Sequence, residues 1–99
     1  MGVSEGAPKP SYKDRLRMQI AKIQDPDLKS GFYAILYYTD CLDLAQARNV
    51  MQALHVIVGA MIPFALSDTT RAALTEIYHI TAEPPEEWPC EPGCDFYDV

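Results

Sequence analysis

FYAILYYTDCLDLAQARNVMQALHVIVGAMIPFAL, residues 32–66, decides the fold of this 99-residue chain. Of these 35 residues only ten lie outside the apolar set: Thr39, Asp40, Asp43, Gln46, Arg48, Asn49, Gln52, His55, Gly59 and Pro63. A surface helix shows one apolar stripe and a broad polar face; here the proportions are reversed. The segment needs cover on more than one side, and the remainder of so short a chain offers little. A second copy or another protein is the natural source, which points to a binding protein.

Working outward, the period is helical throughout. Tyr12, Leu16, Ile20 and Ile23 follow a 4-4-3 spacing, with Ser11 as N-cap and Asp14 in the first turn. Lys13, Arg15, Arg17 and Lys22 lie elsewhere around this amphipathic helix of three to four turns. Asp25-Pro26 is a stop and a restart: the residue before a proline avoids helical geometry, and proline is harmless at the first helical position. Leu28, Phe32, Ile35, Leu36 and Leu42 make the inner face of the second helix, with Tyr33 and Tyr37 as a second aromatic edge. No Gly or Pro separates Gly31 from Gly59, so the next boundary is soft. A tight turn around Ala45–Asn49, with Asn49 as cap, is expected; one continuous helix of about 30 residues is the alternative, unusually long for a globular domain.

The third helix, Asn49 to Ile62, carries a narrow polar stripe of Arg48, Gln52, His55 and Gly59. Met51, Leu54, Val58, Met61 and Ile62 are expected inward, and Val50, Ile57 and Phe64 toward a second molecule. Pro63 ends or kinks this helix. Ser67 or Asp68 caps a fourth, with Leu74, Ile77 and Tyr78 inward and Arg71 and Glu76 outward. Alternating strand patterns and hairpin signals are missing. The fold class is therefore all-α: a small bundle of three to four helices, expected to be dimeric. Residues 1–10 are expected to be disordered, 11–81 form the helical domain, and 82–99 an acidic, Pro-rich tail.

The net charge of −6 is unevenly placed. Glu83, Glu86, Glu87, Glu91, Asp95 and Asp98 put all of it in residues 81–99, and residues 1–80 balance. The basic residues near the start are too diluted, and too far from any reading motif, for direct nucleic-acid binding. The start lacks a secretion signal, and the apolar run Ala53–Leu66 is short of the ~20 residues of a bilayer span. A cytoplasmic protein with no membrane association is expected. Cys41 reads as a small apolar residue. Cys90 and Cys94 lack the further ligands that zinc requires, so no metal and no cofactor are expected.

Phosphate-loop, dinucleotide and hydrolase motifs do not occur. His55 reads as an exposed or interface-rim residue and His79 as a cation at a helix end. Neither has a partner in register, so no catalytic residue is assigned and an enzyme is not expected. The tyrosines beside Phe32 cannot all point inward, and tyrosine is enriched at interfaces. Tyr33, Tyr37, Leu54, Ile57, Met61 and Phe64 are the candidate contact residues for a homodimer or a target. Trp88, Phe96 and Tyr97 among acids and prolines are open to three readings: a docking motif, a clamp over the chain's own domain, or an inert end.

The segment FYAILYYTDCLDLAQARNVMQALHVIVGAMIPF, with AQAR between two apolar helices, resembles small helical regulatory proteins of bacteria, the quorum-sensing anti-activators. The likeness covers half to two thirds of the chain. It implies a homodimeric helical inhibitor that binds the ligand-binding domain of a LuxR-type transcription activator. By occupying the activator's own dimer surface, such a protein would block its dimerisation and DNA binding. No site residue carries over. The rival expectation is a small immunity or phage-encoded inhibitor whose acidic tail plugs a basic site on a toxin or nuclease.

Overall fold

The computed structural model describes residues 10–89. Among them are four α-helices and no strand: α1 (Tyr12–Ile20), α2 (Pro26–Thr39), α3 (Leu44–Met61) and α4 (Asp68–Thr81), with a 3-10 turn over Ile62–Phe64 between the last two. The all-α four-helix bundle is thus present. No described helix is long and apolar enough to cross a membrane.

The helix starts follow capping chemistry. Ser11 accepts from the Asp14 N–H, Asp25 from those of Asp27 and Leu28, and Ser67 from that of Thr70. Each side chain satisfies a donor that the first turn leaves without an intrahelical acceptor. Pro26 sits where its missing N–H costs nothing.

The α2–α3 boundary differs from the sequence expectation. It falls at Asp40–Asp43 rather than Ala45–Asn49, and Asp43, not Asn49, caps α3. The Asp43 carboxylate accepts from the Gln46 N–H at 2.8 Å, and the Gln46 side chain accepts from the Asp43 N–H at 3.2 Å. This reciprocal capping box satisfies two donors at once, and its Asp-x-x-Gln spacing stands in the sequence. AQAR is therefore the first turn of α3, not a link. The first helix is also shorter than expected, ending at Ile20.

α4 is the central element. It packs against α3 on one side and α1 on the other, and α2 packs against α1. Backbone approach between the consecutive helices α2 and α3 is slight, though both send side chains into the same core. Leu16, Ile20, Phe32, Leu36, Met51, Leu54, Val58, Leu74 and Ile77 form the shared core. Gly59 marks the closest approach of α3 to α4: a Cβ there would stand 2.6 Å from a ring carbon of Tyr78. Glycine removes that clash at a modest cost in helix propensity.

Residues 82–89 form a strap across the bundle. Pro85 and Trp88 are buried. Trp88 Nε1–H donates to the Thr39 carbonyl at 2.6 Å, its ring lies edge-on to Tyr12, and Lys13 Nζ stands 4.7 Å over it. Arg48 donates to the Pro85 carbonyl at 2.9 Å and Lys13 to the Pro89 carbonyl at 2.8 Å. Of the three readings open to Trp88, the clamp is the one realised. Phe96 and Tyr97 lie outside the described residues.

Three further expectations are corrected. Lys13 is not on the solvated side of α1; it is buried, 3.4 Å from the Asp40 carboxylate. That carboxylate oxygen accepts no hydrogen bond among the described residues, so the pair is held by charge rather than by hydrogen-bond geometry. Cys41 is half-buried and disulfide-bonded, not a free apolar filler; the other two cysteines, Cys90 and Cys94, lie outside the described residues. His55 is half-buried rather than exposed. Its ring stacks on Tyr78 at 4.0 Å, and its Nδ1–H donates to the Tyr78 carbonyl at 2.9 Å, which fixes the tautomer.

Tyr12 ties the start of the chain to the strap, its hydroxyl donating to the carbonyls of Glu83 at 2.8 Å and Ile80 at 3.1 Å. Burial pushes its phenol from 10.0 up to about 12, with Arg15 opposing and Glu83 adding to the shift. The native state therefore holds this proton more tightly than the unfolded chain. Its stabilising effect is complete below pH 10 and is lost as pH rises toward 12. Urea unfolding at pH 9 and pH 11 should show a loss at the higher pH that Tyr12→Phe reduces. Equal loss in both proteins would count against this linkage.

Candidate functional site

The splay between α2 and α3 opens a groove of about 890 Å³. One wall is the restart at Asp25–Leu28, where Pro26 turns the chain away from α1. The other is the last two turns of α3, with Val56, Ile57, Ala60 and Met61, continuing through Phe64 to Leu66. Leu74 and Thr70 of α4 lie between the walls. Thr70 Oγ1 accepts from the Gln24 N–H at 3.1 Å, fixing the α1–α2 link over the start of α4.

The groove is open because the period of α3 outruns its cover. Ala47, Met51, Leu54 and Val58 fill the stripe toward the core. Ile57 and Val56 lie outside that stripe and are apolar all the same. Pro63 then breaks the helix, and the 3-10 turn turns Phe64 outward. Val56 is 66% exposed, Ile57 53%, Phe64 80% and Leu66 92%. Side chains of this size are individually ordinary on a surface, but a contiguous apolar patch marks a docking site.

The six expected contact residues separate into three groups. Ile57 and Phe64 are exposed and Met61 half-buried, and all three line the groove. Leu54 is 4% exposed and belongs to the core, as the inward stripe of α3 demands, so it is removed from the surface set. Tyr33 and Tyr37 are exposed but lie elsewhere. At about 100° per residue, they stand roughly 140° and 180° around α2 from the groove-lining Leu28. Val56 and Leu66 also line the groove and are not among the residues expected from the sequence. Leu66, after Pro63 and just before the Ser67 cap, was recognisable as a large apolar residue held outside any helix.

The groove lining contains two carboxylates, Asp25 and Asp27, and no Lys, Arg or His. A second, more polar cavity of about 430 Å³ lies between α3 and the strap, bordered by Arg48, Gln52, His55 and Thr81. Arg48 and His55 are engaged there in holding Pro85 and Tyr78. Among the described residues no group of three or more His, Cys, Asp or Glu is placed to hold a metal ion.

The fold and groove define a small helical bundle with an open apolar face. No family model, curated protein or solved structure matches this chain.

Proposed function

We propose that this protein is a non-catalytic, cytoplasmic inhibitor that acts by binding another protein through the α2–α3 groove. The carrying observation is the exposure of Val56, Ile57, Phe64 and Leu66 along one continuous apolar lip. Each such side chain gains roughly 1.5–3 kcal/mol when buried, enough for specific association after the cost of docking.

The resemblance to quorum-sensing anti-activators such as QslA supports a finer proposal: the target is the ligand-binding domain of a LuxR-type transcription activator, blocked from dimerising and binding DNA. In this proposal Tyr33 and Tyr37, on the far side of α2, serve the homodimer, and the groove serves the target. No nucleic acid or membrane is contacted.

Ile57→Glu provides the test. Ile57 is exposed, so the free protein should keep its stability within about 0.5 kcal/mol. A carboxylate forced into an apolar contact without a partner should weaken association at least tenfold, about 1.4 kcal/mol. The measurement is co-elution with the activator's ligand-binding domain, together with the activator's retention on its operator DNA. Undiminished association of Ile57→Glu would exclude the groove. No association of the wild-type chain would exclude the activator as target.

A further inference from the structure

We propose that the groove seats an amphipathic helix of the partner, with its apolar stripe flanked by Lys or Arg on the side facing Asp25 and Asp27. This rests on the groove being the protein-binding site.

The groove is elongated along α3. One wall is the last two turns of that helix and the turn after it, the other is the α1–α2 link with the first turn of α2, and Thr70 and Leu74 of α4 complete the lining. An α-helix about 10 Å across, rising 1.5 Å per residue, fills roughly 120 Å³ per residue. A volume of 890 Å³ therefore takes about two turns fully sunk, or about four turns with one face sunk. Helix-in-groove recognition uses anchors three or four residues apart along such a seat.

The charge selects among occupants. The lining has two carboxylates and no cation. Asp27 stands in the first turn of α2, and Asp25 already accepts two backbone N–H groups at the cap. Cations on the incoming helix complement this wall, and carboxylates oppose it.

Among the described residues no such helix is left over to fill the groove. Pro10 precedes the start of α1 and Pro89 is bonded to Lys13 in its first turn, whereas the groove is lined by Gln24 just beyond the other end of that helix. The sequence beyond Pro89 carries Glu91, Asp95 and Asp98, the same sign as the wall. A second copy would bring another Asp25–Asp27 pair. Its basic helix α1 exposes only Met18 among large apolar residues.

Two synthetic helical peptides test this, sharing one Leu stripe and differing only in Lys/Arg or Glu flanks. Fluorescence anisotropy with the full chain should show the basic peptide binding about tenfold more tightly at low salt. The preference should shrink as salt rises, shrink in Asp27→Asn, which leaves Asp25, and vanish in Asp27→Lys, which leaves the wall neutral. Ile57→Glu should weaken the basic peptide at least tenfold. Equal binding of both peptides, tighter binding of the acidic one, or binding of neither would overturn the inference. So would sedimentation showing a dimer that Ile57→Glu splits, since a second copy would then fill the groove. If the peptides fail while Ile57→Glu still abolishes activator association, the helix inference alone falls. If Ile57→Glu leaves that association intact, the underlying groove reading falls as well.

Discussion

Trp88→Ala is expected to lower the free energy of unfolding by about 3–5 kcal/mol, the range for truncating a buried aromatic. The ring is 7% exposed, in a segment that composition alone marks as a solvated tail. Its loss would also leave the Thr39 carbonyl without the indole donor and Lys13 without the ring beneath its ammonium. Small domains have only about 5–15 kcal/mol in total, so the variant should sit near the edge of folding. At about 4–8 °C per kcal/mol for a domain of this size, the expected fall in Tm exceeds 12 °C. Urea unfolding followed by circular dichroism gives the measurement. A change under 0.5 kcal/mol would mean that the strap is not part of the folded unit. One corollary concerns truncation: removing residues 82–99 should destabilise the whole bundle. Loss of inhibition by such a truncate would then say nothing about whether acidic charges recognise a target.

Lys13→Met is expected to cost about 2–3 kcal/mol. Methionine keeps most of the apolar stem and removes the ammonium, which donates to the Pro89 carbonyl and faces Asp40. A hydrogen bond from a charged donor contributes about 1.5–3 kcal/mol, and here the lower end applies because Pro89 is exposed and water can replace the ammonium at its carbonyl. Removing one member of a buried ion pair costs about 3–5 kcal/mol, but two facts reduce that figure here. The Asp40 side chain is 20% exposed, and Arg17 lies 3.8 Å from the same oxygen. A double-mutant cycle with Asp40→Asn separates the pair from the packing: substantial coupling is expected, because the pair is screened by protein on most sides. If Lys13→Met unfolds at the wild-type urea concentration, the lysine matters only for its stem.

What was legible in the sequence was local chemistry. Ser11, Asp25-Pro26 and Ser67 mark three helix starts because capping depends on residues within one turn. The spacing of Leu16, Ile20, Phe32, Leu36, Leu74 and Ile77 placed the core because helical period alone fixes which residues share a face. The fourth start, at Asp43, differs from the expected Asn49: with no Gly or Pro between Gly31 and Gly59, Asp40, Asp43 and Asn49 compete as cap positions, and only the Asp43-x-x-Gln46 capping box separates them. Tertiary facts were less accessible. Lys13 is buried because a strap more than 70 residues away brings a carbonyl and an indole to it; no local rule foresees that. Leu54 and Ile57, three residues apart on an almost uniformly apolar helix, fall on opposite sides of the solvent boundary. Where polar residues are too few to mark the outer face, periodicity loses its contrast.

The strap also sets when this chain can finish folding. On the ribosome the first helix emerges with none of its tertiary neighbours yet made except α2. Its ties run to α4 and then to Glu83 and Pro89, spanning 68 to 76 residues of intervening chain. Closing loops of that length is entropically costly until the contacts that reward it exist. A nascent fragment stopped after α3 would expose the core faces of three helices at once, the condition under which chains aggregate or recruit chaperones. Completion of the native state therefore waits for translation to pass Pro89.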